Sequence, residues 1–332
     1  MRKRNPTIRD IAKQANVSPS LVSRVLNYDS ALKIPESTKE RVFKAAEELG
    51  YQLPEEKKSK MKRVGIVTAH DSKEELDNNY LVTVRVLLER YTLMFGMDSI
   101  LISMEESALI SKVDGLICFG GFTESQLKRI ETFDKPTVFV DTSFDSSKYF
   151  SVSRNLKSAM NQAIDFLLEL NITNIAYIGG RTKGLEYDDR ESEFLRLMAD
   201  LNGTNTPMIM KANNSAEKAY QFSISLLSKN ERPSAIIVGN DTIALGVYKA
   251  AHELNIKIPE ALSIISLENS EKADYFVPSL TSVDTRLDYM CNLAVEILEQ
   301  QLEGKVRIPV DIYISTQLIL RESTKKKIQN KL

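Results

Sequence analysis

The stretch Thr7–Asn27, TIRDIAKQANVSPSLVSRVLN, has the pattern of two short helices joined by a tight turn. Thr7 is a suitable N-cap, and Asp10 three residues later completes a pair of the capping-box type. Apolar residues then recur at helical spacing and give the first helix one apolar face. Asn16 stands where the chain must turn, and asparagine tolerates a left-handed backbone. The stretch therefore predicts a helix-turn-helix unit.

The second helix of this unit has a distinctive outward face. Ser18 caps the helix, and Pro19 takes its first position, where a missing N–H costs nothing. The inward positions are apolar, whereas the outward ones carry short polar side chains and one arginine, Arg24. Short side chains let a helix approach base edges in the major groove, and arginine can bridge guanine O6 and N7. The pattern indicates a DNA-reading helix, with an ordinary two-helix corner as the alternative.

Charge is distributed unevenly along the 332 residues, although the formal net charge is only −1. Residues 1–63 hold 15 Lys and Arg against 8 Asp and Glu, a net of +7. The remainder holds 29 against 37, a net of −8. A basic head on an acidic body is typical of a protein that binds a polyanion at one end. A solvated lysine-rich terminus would have the same composition, so charge alone leaves that alternative open.

The first 50 residues carry a family resemblance. A third helix opens at Ser37 with another capping box and stops at Gly50. The motif T-I-x-D-I-A-x-x-A-x-V-S-x-x-x-V-S-R-V-L-N, with E-E-L-G-Y at the end of the third helix, resembles the headpiece of the lactose/galactose repressor (LacI/GalR) family. The resemblance implies contacts to DNA phosphates and base reading in the major groove. The predicted DNA-binding residues are Thr7 and Asn27 at the phosphates, Pro19, Ser20 and Arg24 near the bases, and Ser18 at the helix cap.

Two features of this DNA-binding region depart from the family pattern. Pro19 offers the DNA an apolar contact but no hydrogen bond. The charged linker 53–63, LPEEKKSKMKR, lacks the A-R-x-L pattern with which the family often forms a hinge helix whose leucine wedges into the minor groove. Two roles for this linker stay open: Met61 as a wedge, or electrostatic attachment of the lysines to phosphates.

The pattern changes from Val64 onward to short β-rich runs separated by amphipathic segments, which predicts parallel sheets covered by helices. The resemblance continues here and implies two periplasmic-binding-protein-like subdomains with a small molecule between them. The predicted fold is thus a small all-α helix-turn-helix headpiece with its linker (1–60), followed by an α/β core of two doubly wound subdomains (61–332). Subdomain 1 takes about 61–155 and 285–309, and subdomain 2 about 156–284 and 310–332. The chain is expected to cross between them near Asn155, Asp284 and Val310.

Polar residues at predicted strand ends identify a candidate binding cleft, because sites in such folds gather at the carboxyl ends of strands. Sugars require hydrogen-bonding groups for their hydroxyls, and carboxylates, amides and guanidinium groups supply them. Asp241 is expected to cap the following helix instead, and Tyr80 either faces the ligand or lies in the core. By resemblance, Arg190, Asn240 and Glu268 match effector-contact positions of the family. The predicted effector-binding residues are Tyr80, Asp141, Arg190, Asn240 and Glu268.

Several classes of function lack support in the sequence. The two histidines lie far apart, and neither a metal-ligand spacing nor a G-x-S-x-G or P-loop motif is present. We therefore expect no metal, no cofactor and no enzymatic activity. Both cysteines stand in apolar contexts, and there is neither an apolar run long enough to span a membrane nor a secretory signal, so a cytoplasmic location is expected.

The sequence thus predicts a sugar-responsive transcriptional regulator that represses a galactose or galactoside operon. It is expected to bind a pseudo-palindromic operator as a homodimer, because operator symmetry mirrors protein symmetry. The sequence leaves open whether the sugar releases or promotes DNA binding. The alternatives are a solute-binding protein and a sugar-processing enzyme, neither of which would need a basic helix-turn-helix.

Overall fold

The computed structural model describes residues 6–26, 34–49, 51, 61–69, 79–142, 144–180, 188–202 and 207–326. The chain divides into two compact units, Met1–Met61 and Lys62–Leu332. Across the described residues, no helix combines the length and the apolar character needed to cross a membrane.

The first unit is built on three helices, α1 (Ile8–Ala15), α2 (Pro19–Leu26) and α3 (Glu36–Glu48). The carboxylate of Asp10 accepts hydrogen bonds from the backbone N–H (2.7 Å) and the hydroxyl (2.6 Å) of Thr7, which fixes the start of α1. Asn16 ends α1 in the left-handed conformation, with φ 53° and ψ 52°. The apolar faces of the three helices share one small core, with its most buried residues on α1, α2 and α3: Ile11, Val22 and Val42.

The second unit contains two sheets. In the first sheet the strand order is β11-β5-β4-β3-β1-β2, and every pairing is parallel. Its strands are β1 (Arg63–Thr68), β2 (Asp98–Ser103), β3 (Gly115–Phe119), β4 (Thr137–Val140), β5 (Phe150–Arg154) and β11 (Asp311–Ile314). Buried apolar side chains cover both faces, as a parallel sheet requires. The associated helices are α4 (Asn79–Met94), the 3₁₀ segment Met104–Lys112, α5 (Glu124–Glu131) and α10 (Leu287–Leu302).

The second sheet has the order β12-β10-β9-β8-β6-β7, and only the β10–β12 pairing within it is antiparallel. Its strands are β6 (Ile175–Gly179), β7 (Met208–Lys211), β8 (Ala235–Val238), β9 (Ser263–Ser266), β10 (Thr281–Asp284) and β12 (Gln317–Ile319). The associated helices are α6 (Leu156–Glu169), α7 (Asp189–Asn202), α8 (Ala216–Leu227), α9 (Asp241–Glu253) and the 3₁₀ segment Glu271–Tyr275. Two apolar clusters cover its faces.

The described chain passes between the two sheets after β5, after β10, and between β11 and β12. The sequence placed the last passage near Val310. In the structure it lies a few residues further on, between β11 and β12. The reason is that Asp311–Ile314 pairs in parallel with Ser151–Arg154 and so belongs to the first sheet. The polar side chains of the candidate site lie at the ends of β4 and β5 and at the start of α4, and after β6, β7, β8 and β9 of the second sheet.

Candidate functional sites

Helix α2 has one buried apolar side and one exposed polar side. Val22, Val25 and Leu26 are buried in the core of the first unit. The side chains predicted to meet DNA along α2 are exposed: Ser18, Pro19, Ser20 and Arg24. The Ser18 hydroxyl accepts a hydrogen bond from the Leu21 N–H at 3.2 Å and lies 3.0 Å from the Ser20 hydroxyl. The exposed face is therefore held in place by its own cap.

The remaining predicted DNA-binding residues differ in exposure, and some lie outside the described residues. Thr7 is half-buried, and its hydroxyl donates to Asp10. Asn27 and most of the charged linker lie outside the described residues. Met61, the candidate wedge, is described and is 51% exposed.

The ends of β4 and β5 meet the start of α4 in a largely buried triad of Tyr80, Asp141 and Arg154. The Tyr80 hydroxyl donates to the Asp141 carboxylate at 2.6 Å. Arg154 donates to the same carboxylate through its backbone N–H (3.0 Å), through Nε (2.7 Å) and through Nη2. The Arg154 guanidinium also lies over the Tyr80 ring, 4.4 Å from its centroid. Two predicted effector residues thus meet, and a third residue, Arg154, holds them.

The electrostatic environment keeps both Asp141 and Arg154 ionised. Burial raises the pKa of the Asp141 carboxyl, but the charge and hydrogen bonds of Arg154 outweigh burial, so the pKa lies below its ordinary value. Burial lowers the pKa of Arg154, but Asp141 outweighs it, and the guanidinium stays charged. Burial and then the Asp141 charge hold the pKa of Tyr80 well above its ordinary value, so Tyr80 stays a neutral hydrogen-bond donor.

In the second sheet, Arg190 at the start of α7 forms a similar pair with Asp188. Arg190 donates to the Asp188 carboxylate through its backbone N–H (2.9 Å), Nε (3.0 Å) and Nη2 (2.7 Å). Its remaining nitrogen, Nη1, donates to the Gly239 carbonyl at 2.8 Å. Burial raises the pKa of Asp188, but Arg190 outweighs burial and holds it below its ordinary value. Arg190 is therefore anchored to β8 as well as to its own helix.

The amide of Asn240 lies beside Gly239, at the end of β8. Asn240 Oδ1 accepts from the Ile243 N–H at 2.9 Å and so caps α9, while Nδ2 donates to Asn214 Oδ1 at 2.9 Å. A Cβ at Gly180 would lie 2.7 Å from the Asn214 backbone nitrogen, so this close approach requires glycine there. The two amides thus form a pair beside Arg190.

Glu268, after β9, accepts a hydrogen bond from the Asp241 N–H at 2.9 Å. The Asp241 carboxylate in turn accepts from the Ser270 N–H (2.7 Å) and from the hydroxyls of Ser270 (2.6 Å) and Ser266. The expectation that Asp241 caps α9 is wrong, because Asn240 is the N-cap and Asp241 is the first residue of the helix. The Asp241 carboxylate instead holds the end of β9 and the loop that follows it. Burial, and then the charge of Asp241, raise the pKa of Glu268.

Charged groups at the strand ends of the first sheet shift the pKa values of charged groups at the strand ends of the second. Arg154 of the first sheet lowers the pKa of Asp188 and of Glu268 in the second, and Asp141 raises that of Arg190. The five predicted effector residues therefore fall into one charged cluster, which we call the cleft cluster: Tyr80, Asp141, Arg154, Asp188, Arg190, Asn214, Asn240, Asp241 and Glu268. Sequence reasoning missed Arg154 and Asp188. The segments 70–78 and 181–187, which follow β1 and β6, lie outside the described residues.

A cavity of about 210 Å³ opens beside Arg154, next to the first passage between the sheets. Its lining comes from both sheets' elements and includes Lys157, Asp189 and Tyr313. Lys157 and Asp189 lie 3.5 Å apart as an ion pair, so the charges of this cavity are also matched.

Comparisons with known proteins identify the family of the chain and its fold. The family described as bacterial regulatory proteins, lacI family, matches residues 7–53, and the periplasmic binding protein-like domain matches residues 164–324. The HTH-type transcriptional regulator GalR of Streptococcus thermophilus is 31% identical over 332 residues, which cover 96% of this chain and 99% of that protein.

Solved structures show the same fold at lower identity. The crystal structure of the lac repressor dimer bound to operator and the anti-inducer ONPF has a TM-score of 0.72 at 20% identity, covering 97% of this chain and 99% of that one. The transcriptional regulator CelR–cellobiose complex has a TM-score of 0.66 at 19% identity, covering 96% and 100%. These structures confirm the predicted fold, a helix-turn-helix headpiece followed by a two-sheet α/β core. The chain belongs to the lacI family of bacterial regulatory proteins and is, as its sequence predicts, a helix-turn-helix transcriptional regulator and not an enzyme.

Proposed function

We propose that this regulator represses a carbohydrate-utilisation operon, binds a pseudo-palindromic operator as a homodimer, and is switched by galactose or a galactoside in the cleft between the two sheets. The observation that carries the proposal is the pairing, in one chain, of an exposed polar face on α2 with a cleft cluster of carboxylates, amides and guanidinium groups at facing strand ends.

For DNA binding, support comes from α2 and from charge. Ser20 and Arg24 are exposed on a helix whose other side is fully used by the core. Arg24 supplies the guanine-reading group, Ser20 an adaptable hydroxyl, and Pro19 an apolar contact. One such headpiece covers little DNA, so two headpieces on a two-fold axis give the affinity and fix the half-site spacing. A protein of the same fold is a dimer on its operator.

For sugar binding, support comes from the chemistry of the cleft cluster. Asn214 and Asn240 present amide groups, and Glu268 presents a carboxyl, as vicinal hydroxyls require. A regulator of the same fold binds cellobiose. Galactose is the specific choice because the chain resembles the galactose and lactose regulators throughout its length.

For switching, we propose that the two sheets move as subdomains about the three passages between them. A ligand that contacts both sheets favours one relative arrangement, and it shifts the equilibrium only by its difference in affinity for the two arrangements. The linkers then hold, or no longer hold, the two headpieces at half-site spacing.

Measuring the operator affinity of Arg24→Ala tests the proposal. The control variant is Arg41→Ala, which removes an exposed arginine from α3. Both variants lose one positive charge, so both should weaken binding to unrelated DNA by a similar factor. Only Arg24→Ala should lose the preference for the operator, by about 10-fold or more. If the operator is bound no better than unrelated duplex by the unmodified protein, or if galactosides leave operator binding unchanged, the proposal is wrong.

A further inference from the structure

We infer that Arg286 is a positioning residue for the proposed switch. Its side chain bridges the second and the third passage between the two sheets and stabilises the relative arrangement of the sheets that the structure shows. The inference rests on the proposed function in one respect, which is that the two sheets move relative to each other. It does not depend on which ligand fills the cleft.

Arg286 has an unusual backbone conformation for its residue type. It lies between β10 of the second sheet and α10, which packs on the first, and its backbone is left-handed with φ 52° and ψ 46°. In the described part of the chain, ten non-glycine residues have a positive φ, and the other nine are Asn or Asp. Asn and Asp adopt this conformation because their short polar side chains hydrogen-bond locally, whereas arginine has no such compensation. Other contacts must therefore stabilise Arg286.

The contacts of Arg286 supply this stabilisation. Its backbone N–H donates to Asp284 Oδ1 at 2.8 Å, and its carbonyl accepts from the Met290 N–H at 3.0 Å. Its guanidinium donates through Nη1 to the Ser315 hydroxyl and through Nη2 to Gln317 Oε1, both at 3.3 Å. Ser315 lies in the third passage, and Gln317 is the first residue of β12. One side chain of the second passage therefore reaches across the third.

The third passage is also bound to the first. It is short, because only Ser315 and Thr316 separate β11 from β12. The Asn155 N–H, at the first passage, donates to the Ile314 carbonyl at 3.1 Å. Gln162 of α6 donates through Nε2 to the Thr316 hydroxyl at 2.7 Å and to its carbonyl at 3.2 Å. All three passages are thus hydrogen-bonded around one segment, and the guanidinium supplies the link from the second.

The Arg286–Gln317 bond joins elements of different sheets, so it responds to their relative position. Helix α10, which Arg286 precedes, packs in the core of the first sheet, whereas Gln317 pairs with Asp284 of β10 in the second. At 3.3 Å both guanidinium bonds are at the long end of the hydrogen-bond range, so a small rotation of the sheets breaks them. One hydrogen bond shifts an equilibrium by about 5-fold. Arg286 therefore favours the arrangement shown over any arrangement in which these bonds are absent.

The arrangement that Arg286 stabilises brings the binding groups of both sheets together. The charge of Arg154 in the first sheet lowers the pKa of Asp188 and of Glu268 in the second, so the strand ends face each other within electrostatic reach. A ligand between them can then contact both sheets at once. We therefore expect this arrangement to have the higher effector affinity, and Arg286 to raise that affinity by stabilising it.

A distance measurement on the ligand-free, full-length protein tests the bridge. Spin labels are attached to cysteines that replace Lys128 on α5 and Lys218 on α8, both of which are exposed, whereas Cys118 and Cys291 are buried. Arg286→Asn keeps a residue that tolerates the left-handed backbone and removes the guanidinium. With labelled protein diluted in unlabelled protein, we expect the population outside the main distance to grow by about 5-fold or more.

Two further variants complete the distance test. Arg232→Asn removes an exposed arginine before β8 and should leave the distance distribution unchanged. Gln317→Glu should narrow the distribution, because a carboxylate makes the bond to Arg286 charge-assisted and stronger. The narrowing should vanish when Arg286→Asn is added. If Arg286→Asn has the same distribution as Arg232→Asn, or if Gln317→Glu acts alike with and without Arg286, the inference is wrong.

Galactoside titration separates this inference from the proposed function. Arg286→Asn should weaken galactoside affinity and Gln317→Glu should raise it, each by about 5-fold, whereas Arg232→Asn should leave it unchanged. A residue with a merely structural role would lower the unfolding temperature and leave this affinity unchanged, which would overturn the inference and leave the proposed function intact. If the unmodified protein binds no galactoside, the proposed function fails, and the distance measurement alone decides the inference.

Discussion

Arg154 ties the cleft cluster to the first sheet. It ends β5 and binds Asp141, which follows β4 and has a left-handed backbone with φ 55°. Asp141 also continues the sheet, because its N–H donates to the Val152 carbonyl at 3.0 Å. The guanidinium therefore fixes both the conformation of a strand end and the direction of the Tyr80 hydroxyl. Arg154 therefore positions its neighbours in addition to neutralising the charge of Asp141.

Replacing Arg154 alone should be strongly destabilising. Arg154→Met leaves the buried Asp141 carboxylate without its partner, and we expect a loss of about 3–5 kcal/mol in the free energy of unfolding. Adding Asp141→Asn removes the unpaired charge, so the double variant should recover much of that loss. Urea unfolding of the unmodified protein, both single variants and the double variant measures the coupling. Additive losses would show that the two side chains do not stabilise each other.

Glu268 should make the stability fall as the pH rises. Burial and Asp241 raise its pKa in the folded state, so its stabilising contribution is complete below the unfolded pKa of about 4.3. That contribution is lost as the pH increases through the folded pKa. Glu268→Gln cannot ionise, and its oxygen still accepts from the Asp241 N–H. We therefore expect Glu268→Gln to be more stable than the unmodified protein at pH 7 and to differ less from it at pH 4.

Thermal unfolding at several pH values measures this effect, with Glu271→Gln at an exposed position as the control. Asp141 and Asp188 act in the opposite direction, because their pKa values are lowered on folding and their contributions are lost as the pH falls. Both variants keep those two carboxyls. The loss of stability at low pH should therefore be the same for Glu268→Gln, Glu271→Gln and the unmodified protein. A Glu268→Gln curve that runs parallel to the unmodified one at every pH would contradict the prediction.

At the residue scale, the sequence identified strand-end polar residues but not their partners. Asp141, Arg190, Asn240 and Glu268 could be selected because each follows a run of apolar residues or lies in a family motif. Tyr80, at the start of an amphipathic segment, was left open between the ligand and the core. Arg154 stands inside the mixed run FSVSR, where its bond to Asp141 depends on the register between β5 and β4. Such register is set by tertiary pairing and leaves no local signal. That these residues contact a ligand stays a prediction.

At the scale of elements, the predicted helices and central strands match the described ones closely. Four amphipathic segments of the sequence, 80–95, 125–133, 157–170 and 242–254, predict helices, and they correspond to α4, α5, α6 and α9. The strands that sequence reasoning did not identify are mostly edge strands: β7, β11 and β12 each end a sheet and are partly exposed. An edge strand needs one apolar face or less, so it lacks the continuous apolar run that marks a buried strand.

The packing of α8 on α9 depends on Gly246. A Cβ at this position would lie 2.2 Å from the Ala216 carbonyl oxygen and 2.6 Å from the Tyr220 nitrogen, both of which are backbone atoms. Backbone cannot rotate away, so Gly246→Ala must push the helices apart. We expect a loss of about 3 kcal/mol or more in the free energy of unfolding, which exceeds the gain of about 1 kcal/mol in helix propensity.

Urea unfolding checks this expectation, with His252→Ala on the exposed side of α9 as the control for helix propensity. His252→Ala should be neutral or slightly stabilising, because alanine is the better helix former. Stabilisation by Gly246→Ala of the size seen for His252→Ala would mean that the two helices do not pack as closely as described.

At the scale of the whole molecule, the charge needed to attract DNA is concentrated in the first unit. Residues 1–61 hold 13 Lys and Arg against 8 Asp and Glu, a net of +5, whereas residues 62–332 hold 31 against 37, a net of −6. Binding to a polyanion releases counterions in proportion to the phosphates that are neutralised. The attraction to DNA should therefore come from the basic residues of the headpiece and linker, and the acidic core should oppose non-specific binding.

This separation predicts a steep salt dependence that belongs to the first unit alone. If two headpieces contact the six to ten phosphates typical of such complexes, operator affinity should fall about 1,000-fold or more between about 50 mM and 200 mM salt. A chain of residues 62–332 should bind no DNA at either concentration, yet it should bind sugar like the full chain. Fluorescence anisotropy with a labelled operator duplex measures both chains. A shallow salt dependence would show that the headpieces neutralise fewer phosphates than expected. Residual DNA binding by residues 62–332 would show that the core contacts the phosphate backbone. Either result would contradict the assignment of DNA attraction to the first unit alone.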